Sequence, residues 1–135
     1  MARVVLDSWG LIAFFEDEPA GAMVEKLLLD AENGKHHLLL CILGWCDIYT
    51  AILSRLSQKT AEEKMRQIAE LPVEVVGIGD DLELVRQAAI YKATFKLATA
   101  CAFAGALAKL RKASLVTGDP AFRALEDEFK IQWLA

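Results

Sequence analysis

The feature that most constrains the fold is a short run of β-branched and aliphatic residues near the start of the chain that ends on an acid. Val4, Val5 and Leu6 have the composition of a buried central strand. Asp7, which follows them, could be the N-cap of a helix that begins at Ser8, or a ligand at the carboxyl edge of a sheet. Taken alone, the run favours the cap, since aspartate is a preferred N-cap residue.

A second run of the same form lies near the other end of the chain. Residues 115–119 read Leu-Val-Thr-Gly-Asp, so Asp119 also follows a strand-like segment. The carboxyl ends of parallel strands lie along one edge of a sheet, and doubly wound folds bind their ligands at that edge. We therefore expect Asp7 and Asp119 to be neighbours in space although they are far apart in sequence.

Between these two runs, strand-like and helical segments alternate. This alternation predicts an α/β fold, a three-layer α/β/α sandwich with a central parallel sheet of four to five strands and right-handed crossovers. Gly44 is expected to break the second strand before the following helix. With 135 residues the chain is most simply one domain, 1–135. The predicted strands are 4–6, 37–42, 73–76, 114–117 and 130–133, and the main helices 20–32, 45–56, 61–71, 82–95 and 98–112.

Composition limits the classes of function. The net charge of -4 gives no overall positive field, so binding of nucleic acid would need a local basic patch. Cys41, Cys46 and Cys101 lie in segments that look buried, which indicates reduced thiols. No signal peptide or membrane-spanning stretch is evident, so we expect a soluble cytoplasmic protein with no membrane role. A hydrophobic fraction of 55% favours a partner or a homodimer, although a well-covered parallel sheet raises the same count.

Two further residues are expected at the edge that holds the two acids. Asp47 is placed in the first turn of the helix after the second strand, and Cys101 in the first turn of the helix that precedes Asp119. Three carboxylates that converge repel one another unless a cation joins them, and hard oxygen ligands suit Mg²⁺ or Mn²⁺. A hydrated metal among acids is an arrangement that hydrolyses phosphodiesters.

Four segments of the chain resemble the PIN-domain family, in particular the small stand-alone toxins of the VapC type. The resemblance covers nearly the full length and implies a metal-dependent endoribonuclease that acts on RNA, a small antitoxin partner and a homodimer. The antitoxin is expected to fill an apolar groove near Leu11 to Leu29. The segments are VVLDSWGLIAFFEDEP at 4–19, LGWCDIY at 43–49, LATACAFAGALA at 97–108 and LVTGDPAF at 115–122.

The resemblance also implies a metal site. In such proteins it consists of the Asp after the first strand, a Glu in the third-helix segment, an Asp in an A-D-A-F-type segment and the Asp of T-G-D. Carried over residue by residue, these positions fall on Asp7, Asp47, Cys101 and Asp119. Asp7 and Asp119 would be the main ligands of Mg²⁺ or Mn²⁺, and Asp47 would bind through water. Cys101 departs most from the pattern, because a thiol is a poor ligand for Mg²⁺.

Polar and basic residues near this site complete the expected roles. Ser8 or Thr117 could hold a phosphate or a metal-bound water. Lys92 and Lys96, four residues apart on one helix, are expected to contact the RNA backbone, although lysines at that spacing also occur on ordinary solvated faces.

Two other interpretations remain beside the nuclease. Because of Cys101, the chain could be a catalytically impaired PIN-like module that binds RNA or protein. A phosphatase similar to the haloacid dehalogenases also has an Asp after its first strand and a later G-D pair. That family needs a second Asp two residues after the first, where this chain has Trp9.

Overall fold

The computed structural model of the chain describes residues 2–134 and contains a central sheet of five strands. In chain order the strands are β1 (Ala2–Leu6), β2 (His36–Cys41), β3 (Val73–Val76), β4 (Ser114–Thr117) and β5 (Ile131–Trp133). All neighbouring strands are parallel, and the strand order is β3-β2-β1-β4-β5. The predicted parallel sheet of four to five strands is confirmed.

Helices cover both faces of this sheet, which confirms the three-layer sandwich. One core contains Val5 of β1 and packs under the helices at 82–95, 99–110 and 120–125. The other core contains Val4 and Leu6 and packs under the four helices that lie between residues 8 and 70. Within residues 2–134, no helix is long and apolar enough to cross a bilayer. The helices are α1 (Ser8–Phe15), α2 (Gly21–Glu32), α3 (Ile42–Arg55), α4 (Gln58–Glu70), α5 (Leu82–Phe95), α6 (Thr99–Leu110) and a 3-10 helix (Pro120–Leu125).

The first strand lies at the centre of the sheet. Val5 and Leu6 are fully buried, and Val4 is 8% exposed, as expected for a strand covered on both faces. β1 pairs with β2 on one side and with β4 on the other, so Leu6 lies between Leu40 and Val116. The strand order therefore reverses at β1, and the carboxyl ends of β1 and β4 border the crevice where ligands of such sheets bind.

The start of α3 differs from the sequence prediction. The helix begins at Ile42, directly after β2 and three residues before the predicted start at 45, so Gly44 lies in its first turn and does not break the strand. A Cβ atom at Gly44 would lie 2.9 Å from Cδ1 of Leu40, so glycine lets the helix pack closely on the strand before it. As a result, Asp47 lies in the second turn of α3. The prediction that it lies in the first turn was wrong.

The hairpin of α1 and α2 also differs in part from the prediction. Its apolar residues were expected to line a groove, but Leu11, Val24 and Leu28 are buried against each other and against the sheet. Met23 and Leu29 are the large apolar residues of this hairpin that are exposed, at 38% and 53%. Core packing, and not a docking groove, therefore accounts for most of the apolar pattern in this segment.

Candidate active site

Asp7 has both of the roles that the sequence left open, because it caps a helix and also lies at the carboxyl edge of the sheet. Its backbone is extended, and its Oδ1 atom accepts a hydrogen bond from the backbone N–H of Gly10 at 3.2 Å. The other oxygen, Oδ2, accepts a hydrogen bond from the hydroxyl of Thr117 at 2.6 Å. Only 7% of the residue is exposed, so this carboxyl group is held rigidly at the bottom of the crevice.

Thr117 joins the two strand-end acids. Its side chain is fully buried, and its hydroxyl oxygen accepts a hydrogen bond from the backbone N–H of Asp119 at 3.0 Å while it donates to Asp7. Asp119 in turn caps the 3-10 helix, since its Oδ1 atom accepts from the N–H of Ala121 at 2.9 Å. One hydroxyl group therefore fixes the position of both acids, which the sequence predicted to be neighbours.

The remaining two residues of the expected metal site face the same cleft. Cys101 lies in the first turn of α6, and its Sγ atom is 3.7 Å from Oδ2 of Asp119, to which the thiol donates. Asp47 is exposed on α3 and lines the cleft, which has a volume of about 210 Å³. Besides apolar residues, the cleft is lined by the polar side chains of Asp7, Ser8, Cys41, Asp47, Cys101 and Asp119.

The electrostatics of this cleft disfavour negative charge. Burial raises the pKa of Asp7 to about 7, and the charge of Asp119 adds to this effect, while the hydrogen bonds from Thr117 and Gly10 lower the pKa. Burial likewise raises the pKa of Asp47. The pKa of Cys101 rises to about 12, first through burial and then through the negative charge of Asp119. None of the ion pairs that the structure shows within residues 2–134 includes an acid of this cleft.

The donor set fits a hydrated hard cation. Among the described residues, no group of three or more His, Cys, Asp or Glu side chains is close enough together to hold a metal directly. Mg²⁺ does not need such a cage, because it dehydrates reluctantly and is usually bound by one or two carboxylates and several waters. Asp7 and Asp119 would supply the two carboxylates, with Asp47 within the same cleft to accept a hydrogen bond from a metal-bound water.

The predicted RNA-contacting lysines lie beside the cleft and do not line it. Both are exposed near the end of α5, just before Ala98 and Ala100, which do line the cleft. Nζ of Lys92 donates a hydrogen bond to Oγ1 of Thr99 at 2.6 Å, at the start of α6. Lys96 ends α5 with a left-handed backbone conformation, at φ 55°.

One contact at this edge was not anticipated from the sequence. A Cβ atom on Gly118 would overlap the indole ring of Trp9, so the glycine between β4 and Asp119 makes room for that ring. Trp9 directly follows the Asp7-Ser8 pair, and its ring packs over the link that leads to the second acid. The sequence contains both residues of this contact, Trp9 and Gly118, but only the fold shows that they touch.

Solved structures with the same architecture are similar along nearly the whole chain. The DNA-bound VapBC complex from Salmonella typhimurium matches with a TM-score of 0.75 and 12% identity, over 100% of both chains. VapBC-1 from nontypeable Haemophilus influenzae matches with a TM-score of 0.72 and 14% identity, over 98% of both chains. A toxin-antitoxin complex from Klebsiella pneumoniae matches with a TM-score of 0.73 and 13% identity, also over 98% of both. At these identities the likeness shows the fold.

Sequence comparison gives the family. Among curated proteins, none matches the chain significantly. The family model described as PIN domain matches residues 4–128, which include both strand-end acids and the residues of the cleft between them. The resemblance inferred from the sequence motifs is therefore confirmed, and the chain belongs to the PIN domain family.

Proposed function

We propose that this protein is a metal-dependent endoribonuclease, the toxin of a VapC-like toxin-antitoxin pair. The observation that carries the proposal is the pair of acids, Asp7 and Asp119, fixed by one buried hydroxyl at the switch point of the sheet. Burial and mutual repulsion make this pair costly without a cation. Membership of the PIN domain family and the toxin-antitoxin complexes among similar structures support the same function.

The three acids and the two hydroxyl residues of this site have distinct parts in this proposal. Asp7 and Asp119 would bind Mg²⁺ or Mn²⁺ directly, and Asp47, which lines the same cleft, would orient a metal-bound water. When bound, the metal supplies a Lewis acid and an activated water for attack on an RNA phosphate. Thr117 is a positioning residue, because its hydroxyl is occupied by the two acids. Ser8 lines the cleft and is our candidate for a hydrogen bond to the scissile phosphate.

Substrate binding uses a small local patch in this proposal. The chain has a net charge of -4, so a general attraction to RNA does not operate. Lys92 and Lys96 are exposed near the start of α6, beside the cleft, and are proposed to bind the phosphates that flank the cleavage position. These contacts position the RNA and do not select its sequence.

The partners follow from the same assignment. We propose an antitoxin that binds where the end of α1 meets α3 and α4, at a groove of about 390 Å³ whose lining combines apolar residues such as Phe15, Ile52 and Leu56 with three charged side chains. Exposed apolar side chains elsewhere, such as Leu82 at 70%, favour a homodimer. The cysteines at 41, 46 and 101 are free thiols, which supports a cytoplasmic location.

Cleavage of RNA by the purified protein tests the function. We expect cutting with Mg²⁺ or Mn²⁺ that a chelator abolishes. Asp7→Asn and Asp119→Asn should each lower the rate at least about 100-fold, since even changes to groups that only orient metal ligands cost about 10- to 100-fold. Asp127→Asn is the matched control, because Asp127 is an exposed acid outside the cleft. Equal rates for Asp7→Asn and this control would refute the proposal.

Cys101 supports a second candidate function. A thiol beside Asp119 replaces an expected carboxylate and leaves the cleft with fewer hard ligands. The alternative is therefore a catalytically impaired module that binds RNA or protein. RNA binding by the wild type without cleavage, together with cleavage by Cys101→Asp, would favour this alternative over the nuclease.

A further inference from the structure

We propose that a groove at the amino edge of the sheet is a docking surface for an acidic peptide segment of a partner protein. This groove, called the basic groove below, has a volume of about 660 Å³ and lies between the amino ends of β1 and β4 and the end of α6. The 12 residues of α6 span about 18 Å. The first turn of this helix lines the cleft and its last turn lines the basic groove, so the two sites are separate.

Charge distinguishes the basic groove from the rest of the molecule. Of the described residues that line it, Glu128 alone is acidic, whereas four are basic. The groove therefore carries a net charge of +3 in a chain whose net charge is -4. Cations often lie near the end of a helix because they complement its dipole, but this explains only the residues at the end of α6. The four basic residues are Arg3 of β1, Lys109 of α6, Lys112 before β4 and Lys130 before β5.

Internal contacts hold part of this charge in place. The guanidinium group of Arg3 donates a hydrogen bond to the carbonyl oxygen of Arg111 at 3.2 Å, which fixes it at the end of α6. Nζ of Lys109 donates to the backbone carbonyl oxygen of Glu128 at 3.1 Å. The carboxylate of Glu128 accepts a hydrogen bond from the hydroxyl of Tyr91 at 2.9 Å, and Tyr91 is only 2% exposed. The acid of the groove is therefore bound to the core, and its charge does not offset the cations around it.

The other two lysines supply charge that a partner can bind. Lys112 and Lys130 are exposed, and none of the ion pairs that the structure shows within residues 2–134 includes either of them. The half-buried Phe129 and three alanines form much of the remaining lining. Cations that are spread along a groove with apolar side chains between them complement a ligand with spaced carboxylates and apolar side chains. An acidic peptide has this chemistry.

An RNA strand complements the basic groove less well. Its phosphates gain nothing from the apolar part of the lining. The exposed acids Glu126 and Asp127 directly precede Glu128 in the chain, and they repel a polyanion that approaches from this side. Charge and lining together therefore favour a peptide.

Fluorescence anisotropy of the full chain with a labelled short peptide of alternating glutamate and leucine tests the proposal. We expect binding that weakens as salt is added. The double variant Lys112→Glu/Lys130→Glu should lower the affinity at least about tenfold, because two ion pairs, worth up to about fivefold each, become repulsive. The matched control is Lys59→Glu/Arg66→Glu, which changes the net charge equally at two exposed positions of α4 outside the groove. This control should retain most of the affinity.

Three results would overturn the proposal. The first is no binding of the acidic peptide to the wild type at low salt. The second is an equal loss of affinity in the two double variants, which would indicate a general effect of net charge. The third is a labelled single-stranded RNA whose binding falls in the groove variant but not in the control, which would make the groove a nucleic-acid surface. Circular dichroism of both variants excludes misfolding as the cause of lost binding.

Discussion

Asp7→Asn should stabilise the metal-free protein at neutral pH while it removes the activity. The carboxyl group is 7% exposed, and its pKa rises from 3.8 to about 7 on folding. A rise of about three pKa units corresponds to roughly 4 kcal/mol by which the folded state disfavours the ionised form. An amide of the same shape removes that cost, because it is never charged.

Part of this gain is offset by a lost hydrogen bond. The amide oxygen of asparagine can still accept from the N–H of Gly10, but the amide nitrogen donates, so the hydroxyl of Thr117 loses the acceptor for its proton, at a cost of roughly 1 to 2 kcal/mol. The expected net stabilisation is about 2 to 3 kcal/mol near pH 8. For a chain of 135 residues this corresponds to a rise in Tm of roughly 10 °C.

The pH dependence gives the sharper test, since its sign follows from the raised pKa. Below about pH 4 Asp7 is protonated in both states and costs nothing. Between about pH 4 and 7 the unfolded chain ionises first, so the wild type loses stability, and above about pH 7 the full cost remains. Urea unfolding with a chelator present should therefore show that the free energy of unfolding of Asp7→Asn, relative to that of the wild type, increases as the pH rises from about 4 to 7.

Two outcomes would refute this reasoning: a variant less stable than the wild type at pH 8, or a difference in stability that does not change between pH 4 and 8. Asp127→Asn, at an exposed acid outside the cleft, is the control for a general effect of lost charge. Without the chelator, a saturating divalent metal should stabilise the wild type and leave Asp7→Asn unchanged, because only the wild type retains the metal site.

Three further variants test other contacts of the site. Gly118→Ala should cost about 1 to 3 kcal/mol in urea unfolding, since its Cβ overlaps the ring of Trp9, and Trp9→Ala in the same background should recover part of that loss. Thr117→Val keeps the side-chain shape but removes the hydrogen bond that lowers the pKa of Asp7, so the pH profile of cleavage should shift to higher pH. An unshifted profile would contradict the positioning role of Thr117. Lys92→Met should weaken RNA binding for all sequences and reduce the salt slope by about one, whereas Lys112→Met, just beyond the far end of α6, should change neither.

The sequence predicted the sheet and the acid pair because both follow from local patterns and one topological rule. The run Val4 to Leu6 is apolar at every position, as expected for a strand that is buried on both faces. Once parallel strands alternate with helices, residues that follow strand ends meet at one edge, and Asp7 and Asp119 do so. The proximity of the two acids therefore depends on strand order and direction and not on how side chains pack.

The contacts between secondary-structure elements could not be predicted from the sequence. Gly44 looked like a strand breaker, yet it lies in a helix because its missing Cβ leaves space for Leu40, a contact that no local pattern encodes. The same limitation misplaced Asp47 by one helical turn. Thr117 was expected to face a phosphate or a water, and its role as the brace between two acids becomes visible only when β1 and β4 are paired.

The thiol in the cleft bears on how the metal-free protein tolerates its acids. Cys101 has a pKa of about 12, so it is neutral at physiological pH, whereas a carboxylate at this position would carry a third or fourth negative charge beside Asp119. Two like charges 4 Å apart repel by about 4 kcal/mol at an effective dielectric constant of 20. A neutral thiol avoids most of that repulsion in the metal-free protein. Cys101 therefore lowers the electrostatic cost of bringing these acids together in the metal-free protein, compared with a carboxylate at the same position.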